Sequence, residues 1–319
     1  MDTNVPPLTV IGDVGVDIVL GPIGHWPAIG TEALMDRSEL RPGGSGANAA
    51  LAAAYLGAPC RLLSAVGSDG LGAWLTEQLR GFDASLQVCD SATSISVGVI
   101  HSCGERTFLT TRGHLEAFAY EHVRPFLPHA RHRDSIALLS GVFLTPKLRR
   151  NYSKLLDEVA ALGYQIALDT GWPSGNWNDE LREQAFGWVA KCDHVLFNEI
   201  EVANLGNSTD LEEAIANVSR RLKPGASLIV KNGAKGAIGC QAGATMRVDA
   251  VPATVFDTIG AGDSFNAGYL LARLEGSDLT DSLAAGCRAA AAVITRFPRK
   301  LIKPGELAEL VELPQRRIV

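Results

Sequence analysis

The chain has 319 residues, 46% hydrophobic and 20% charged, so it can bury a sizeable core and is neither disordered nor fibrous. Its 29 basic and 35 acidic residues leave a net charge of −6, with no basic tract for nucleic acid and no apolar run of membrane-spanning length. The start, Met1-Asp2-Thr3-Asn4-Val5-Pro6-Pro7, lacks a secretion signal, and the scattered cysteines (60, 89, 103, 192, 240, 287) form no Cys-x-x-Cys pair, so free thiols and a cytoplasmic location are expected.

In chain order, the apolar run 8–12 predicts a short buried strand. An Ala-rich helix follows over 45–56, stopped by Gly57 and Pro59, then a strand over 61–66 and a helix over 71–80. Downstream, 135–140 reads as a strand and 147–162 as a helix closed by Gly163. Further strands are expected over 164–168, 194–197 and 227–231, separated by helices over 179–190 and 210–222. This βαβα alternation predicts an α/β fold of three layers, α/β/α, with a mainly parallel central sheet.

Two stretches break the rhythm. Residues 17–39 and 94–110 are rich in Val, Ile, Thr, Gly and Pro and read as antiparallel strands. Together they predict a small β-sheet lid inserted into one domain that spans 1–319.

The chemistry concentrates in Asp257-Thr258-Ile259-Gly260-Ala261-Gly262-Asp263-Ser264-Phe265-Asn266-Ala267-Gly268, where a β-like stretch over 254–256 passes through small residues into a helix over 264–274. Backbone amides at Gly260, Ala261 and Gly262 can approach a ligand closely, and a helix N-terminus favours an anion such as phosphate. Asp263, at that helix start, can take a proton from a hydroxyl; the plain alternative is a helix cap. A second small-residue run, Pro42-Gly43-Gly44-Ser45-Gly46-Ala47-Asn48-Ala49-Ala50, offers backbone at Gly43 and Gly44 and the amide of Asn48 to a sugar, or else close helix packing. Asp17 can accept two hydroxyls of a polyol, while Asp13 reads as a turn former. Asn198 and Glu201, after one strand, suit phosphate-bound water and Mg2+ or a plain helix start; Lys231, Asn232 and Gly233, after another, suit a nucleotide or a hairpin turn. Neither Gly-x-Gly-x-x-Gly nor Gly-x-x-x-x-Gly-Lys-Ser/Thr occurs, which disfavours a nicotinamide dehydrogenase and a P-loop enzyme.

Taken together, the run 257–265, the run 42–50 with Leu56-Gly57 and Val66-Gly67-Ser68-Asp69-Gly70 after it, and Asn198-Glu199-Ile200-Glu201 resemble the two signatures and the Asn-x-x-Glu element of the ribokinase-like (PfkB family) carbohydrate kinases. The matches run in family order from Leu8 to Phe297. The resemblance implies an ATP-dependent sugar kinase with Asp263 as base and Gly260-Ala261-Gly262 as anion hole. It also implies that Asp17, Gly43, Gly44, Asn48 and Arg106 hold the substrate, a sugar or related polyol, and that Asn198, Lys231, Asn232 and Gly233 border the nucleotide. Glu201 would hold Mg2+ through water, and Asp257 with the Ile259 carbonyl falls where some members bind a monovalent cation such as K+. A homodimer through the lid is also implied, with no nucleic-acid or membrane partner. The alternatives are a nucleoside kinase of the same family and, from another class, a non-catalytic sugar- or nucleotide-binding regulator. Two departures bear on substrate: Asp169-Thr170-Gly171-Trp172-Pro173 lacks the Asn and Arg of the sugar-acid kinases' Asp-x-Asn-x-Arg, and Arg112-Gly113-His114 replaces Gly-Ala-Asn.

Overall fold

Alternate residues of the central strands face two different apolar clusters. Val10, Leu62, Leu138, Ala167, Leu196 and Ile229 enter one; Ile11, Leu63, Leu139, Leu168, Phe197 and Val230 enter the other. A sheet with both faces buried needs this pattern, and the unbroken apolar runs of the sequence are its trace. The computed structural model describes residues 7–102, 104–173 and 175–295. Residues 1–6, Cys103 and Phe297 lie outside them.

The strands among the described residues are β1 (Leu8–Ile11), β2 (Gly15–Ile23), β3 (Arg37–Gly43), β4 (Cys60–Gly67), β5 (Asp83–Cys89), β6 (Ile95–His101), β7 (Arg106–Thr110), β8 (Ile136–Ser140), β9 (Gln165–Asp169), β10 (His194–Asn198), β11 (Ser227–Lys231), β12 (Ala237–Gln241) and β13 (Ala244–Val248). The helices are α1 (Ser45–Tyr55), α2 (Gly70–Gln78), α3 (Tyr120–Val123), α4 (Pro146–Arg150), α5 (Tyr152–Ala161), α6 (Asp179–Val189), α7 (Glu199–Leu205), α8 (Leu211–Ser219), α9 (Ala261–Leu274) and α10 (Leu279–Ile294).

A nine-stranded sheet runs β13-β12-β11-β10-β9-β8-β1-β4-β5, parallel from β11 through β5 and antiparallel only at β12 and β13. Residues of α1, α2, α9 and α10 fill one apolar cluster, those of α4 to α8 the other, so the sheet is the middle of three layers. No helix among the described residues is long and apolar enough to cross a membrane.

Three expectations need correction. The helix expected over 147–162 is two helices, because Asn151 leaves helical geometry (φ −108°, ψ 12°) between α4 and α5. Buried Leu148, Leu155 and Leu156 carry the apolar pattern across that break and hide it. The stretch 254–256 is no strand: the Phe256 amide donates to the carbonyl of Ile294, at the end of α10, at 2.8 Å. The second sheet, β3-β2-β6-β7, is not wholly antiparallel, since β2 and β6 run parallel with Val16 opposite Ile95. Each of these two strands opens its own hairpin, β2–β3 or β6–β7, and the hairpins join through their first strands.

Candidate active site

Chain order reverses beside β1. From β1 the sheet grows outward through β4 and β5, then resumes on the other side through β8 to β11. Such a switch leaves a crevice at the carboxyl ends of the strands, the usual ligand position in open α/β sheets. Asp13, just past β1, is buried there. Its carboxylate accepts the Ser45 amide (3.2 Å), the Ser45 hydroxyl (2.7 Å) and the Gly46 amide (3.1 Å), so it secures the start of α1. A Cβ on Gly141, after β8, would stand 2.1 Å from Asp13 Oδ1, and Gly141 has φ +72°, so only glycine fits.

Helix α9 starts from Gly260 in the left-handed region (φ 74°), with no side-chain cap. The Ala261 amide reaches the Thr258 carbonyl at 3.2 Å; those of Gly262 and Asp263 meet no protein acceptor among the described residues. Asp263 lies in the first turn and accepts Asn48 Nδ2, from α1, at 3.1 Å. Its residue keeps part of its surface open to solvent, yet burial of the carboxylate and then the charge of Asp169 push it well above the ordinary carboxylate range. A carboxylate so raised is a better proton acceptor, and open amides beside it suit an anion.

Behind Asp263 lies a buried ionic network. Asp169, at the end of β9, receives Lys231 Nζ at 2.7 Å and Asn266 Nδ2 at 2.6 Å on the same oxygen, while its other oxygen accepts the Gly171 amide at 3.1 Å. Lys231 also donates to Asn266 Oδ1 at 3.2 Å. Burial lowers the Lys231 ammonium, but Asp169 and Glu201 outweigh it and the net direction is up, so the lysine stays charged. Its Nζ is 3.6 Å from the point where a Cβ on Gly262 would stand. The positive charge therefore faces the open end of α9.

Asn198 and Glu201 close a capping box on α7, with the Glu201 amide donating to Asn198 Oδ1 at 2.8 Å and the Asn198 amide to Glu201 Oε2 at 2.9 Å. Burial, then Asp169, lifts Glu201 to about 7. No group of three or more acidic, His or Cys side chains among the described residues forms a metal cage. One buried carboxylate beside the crevice fits Mg2+ brought in on phosphates and held through water, since that ion dehydrates reluctantly.

The other expected residues occupy varied positions. Asp17, buried on β2, puts its carboxyl carbon 2.1 Å from where a Gly43 Cβ would be, so Gly43 exists to admit it. Gly44 begins α1. Asn232 and Gly233 form the tight turn between β11 and β12, the Asn232 amide donating to the Gly236 carbonyl at 2.8 Å. Arg106 is exposed on edge strand β7 and makes no hydrogen bond or ion pair with another site residue among those described. Asp257 is fully buried; it takes Arg37 Nη2 at 2.9 Å and Arg41 Nη1 at 3.4 Å, and its other oxygen accepts the Ile259 amide at 2.8 Å. Its outward oxygen faces guanidinium groups, so the donor set expected to hold a monovalent cation does not fit one. Ile259 packs under the second sheet against Val19 and Ile100.

Five residues escaped the sequence reading: Asp13 as the acceptor for α1, Asp169, Asn266, Arg37 and Arg41. Asp169 had a signal, because it ends an apolar strand as Asn198 and Lys231 do. Asn266 had another, standing one turn after Asp263 on the same helix. His114, where the substrate pocket was expected to differ, is instead buried with Nδ1 accepting the Ser94 amide at 2.9 Å. Trp172 is exposed beyond Gly171 and meets Trp177 edge-on at 6.5 Å, at the rim of the Asp169 network.

Comparison with known proteins gives the family and the fold. A family model described as pfkB family carbohydrate kinase matches residues 8–298. A fructokinase from Klebsiella pneumoniae is 32% identical over 253 residues, 76% of this chain and 80% of that protein. A nucleoside kinase from Methanothermobacter thermautotrophicus is 25% identical over 276 residues, 85% and 84% of the two chains. Among solved structures, a ribokinase from Thermotoga maritima superposes with a TM-score of 0.76 at 23% identity, covering 97% of this chain and 99% of its own.

Proposed function

The chain belongs to the pfkB family of carbohydrate kinases, phosphotransferases with an alcohol acceptor, and from that premise we propose an ATP-dependent sugar kinase in which Asp263 is the base. The observation that carries this reading is the Asp263 carboxylate in the first turn of α9, hydrogen-bonded to Asn48 and raised by burial, beside the Gly262 and Asp263 amides that meet no acceptor among the described residues. Asp263 accepts the proton of a sugar hydroxyl as that oxygen attacks the γ-phosphorus of ATP; the bond to the bridging oxygen breaks and ADP leaves. The amides of Gly262 and Asp263, with that of Gly260 before them, meet the charge on the transferring group; of the trio expected from the sequence, the Ala261 amide is taken by the Thr258 carbonyl. Lys231 supplies positive charge on the same side, so its role is at the phosphoryl group and not at the base of the nucleotide.

Asp17, Gly43, Gly44 and Asn48 hold the sugar, with Asn48 also orienting Asp263. Arg106 joins them only if the second sheet closes as a lid over the crevice, which excludes water from the phosphate. Asn198, Asn232 and Gly233 border the nucleotide at the ends of β10 and β11. Glu201 would hold Mg2+ through water, and the ion would supply neutralisation of the phosphate charge.

ADP release from Mg·ATP, measured against pentoses, hexoses, sugar acids, inositols and nucleosides, tests the reading. Turnover that depends on a sugar supports it. Turnover with nucleosides alone replaces it by a nucleoside kinase, for which the Methanothermobacter relative is the specific precedent. Saturable sugar binding in protein that turns over no acceptor makes the chain a regulator.

A further inference from the structure

The loop that enters α9 is held at both ends by one run of chain, strand β3 of the second sheet and the helix α1 that follows it. At one end, Arg37 and Arg41 of β3 meet the buried Asp257 carboxylate; at the other, Asn48 of α1, to which β3 leads, meets Asp263. Arg37, Glu39 and Arg41 alternate along β3 and so share one face of it. Glu39 stands between the two guanidinium groups, 3.3 Å from Arg37 Nη2 and 3.2 Å from Arg41 Nη1. Arg37 also lies over the ring of Phe256, 4.2 Å from its centroid. Side-chain exposure is 10% for each arginine, 12% for Glu39 and 0% for Asp257, so among the described residues this is a buried cluster of two cations and two anions. Such a cluster is already balanced in charge. A further cation at Asp257 would have to displace a guanidinium group that is planar, always charged and fixed by several partners.

We propose that Arg37 and Arg41 are positioning residues that fix the phosphate loop from the lid strand, doing through Asp257 what a bound monovalent cation would otherwise do. The loop's geometry then needs no added K+. The Asp257 oxygen that faces inward accepts the Ile259 amide, so the grip on Asp257 is passed to the residue before Gly260 and thence to the amides of the anion hole. Ile259, packed on Val19 and Ile100 of the same sheet, adds an apolar contact at the same point. Lid and anion hole form one unit, and displacing β3 moves both.

This inference rests on the kinase reading for its activity arm, so the test has a second arm that does not. Turnover of the accepted sugar is measured in KCl, NaCl and choline chloride at equal ionic strength. The wild type is expected to keep the same kcat within about twofold in all three salts. An Arg37→Met, Arg41→Met double variant is expected to lose about tenfold or more in kcat in choline, with the KM for ATP moved less than about threefold, and to regain turnover in KCl. The corresponding double Lys variant keeps more activity than the Met variant. In the second arm, thermal unfolding is followed without substrate. The wild-type Tm is expected to be equal in KCl and choline, and the Met variant's lower and raised by KCl. A wild type whose kcat or Tm rises selectively with K+ overturns the proposal, as does a Met variant that loses turnover equally in both salts or loses nothing. Should no acceptor turn over, the kinase reading fails, and the Tm arm still decides the clamp.

Discussion

Helices α1 and α9 meet in the crevice, and both begin at a glycine with no side-chain cap. Helices α2, α6, α7, α8 and α10 instead begin at Asp69, Asn178, Asn198, Asp210 and Asp278, each accepting an amide of its own first turn. The two glycine starts differ in how their free amides are met. At α1 the missing acceptor comes from elsewhere: the Asp13 carboxylate takes the Ser45 and Gly46 amides. At α9 the Gly262 and Asp263 amides meet no protein acceptor among the described residues, while a lysine and a raised carboxylate stand beside them. One glycine start is a closed structural joint and the other an open anion site. The lesson is that a helix N-terminus becomes a site when the protein withholds the acceptor it supplies at α1 and at the capped helices.

The largest expected effect is at the open end. Asp263→Asn should lower kcat by about 10³-fold while ATP affinity, read by calorimetric titration, stays within about threefold. Turnover near that of the wild type would mean that the base lies elsewhere. Lys231→Met should cost about 10²-fold in kcat, since it removes a charge from beside the transferring group. It should also lower Tm, because Asp169 keeps its buried charge without the ammonium.

At the closed end the effect should fall on stability. Asp13→Ala leaves three donors of α1 without their acceptor, an expected loss of roughly 1–3 kcal/mol in urea unfolding. Asp278→Ala, at the start of α10, is the control at an ordinary cap, where the side chain accepts the Asp281 amide: roughly 1 kcal/mol of stability is lost and turnover is unchanged. The smallest effect is a slope. Glu201 titrates near 4.5 in the unfolded chain and about 7 in the folded one. Below the lower value both states hold the proton; between the two the unfolded chain ionises first, so stability in Mg-free buffer should fall as pH rises from 4.5 to 7 and then level. Glu201→Gln should flatten that stretch of the Tm-against-pH curve. A variant curve parallel to the wild type's would contradict the assignment.

The same contrast separates what was legible in the sequence from what was not. Strands β1, β4 and β8 to β11 are buried on both faces, so they appear as short apolar runs with no knowledge of their neighbours. The open end of α9 is legible for a similar reason: Gly260-Ala261-Gly262-Asp263 carries small residues, an acid and a helix start within four positions. The closed end is not, since Asp13 and Ser45 lie 32 positions apart and the sequence offers only a turn former beside a strand. Asp169 and Asn266 are 97 apart, and Arg37 and Asp257 are 220 apart. Only the sheet order brings them together. Parallel pairing of β2 with β6 was invisible on the same ground, because residue alternation looks alike in either direction.

The most direct test of the central claim is a crystal structure with Mg·ADP, aluminium fluoride and the sugar accepted in the turnover assay. The fluoride complex mimics the flat transferring phosphoryl group and reports where it binds. The expected position is on the amides of Gly260, Gly262 and Asp263, with Lys231 on one side and the reacting hydroxyl within hydrogen-bond reach of the Asp263 carboxylate. A complex seated at the start of α1, or one that leaves the α9 amides to solvent and Asp263 away from the hydroxyl, would contradict it.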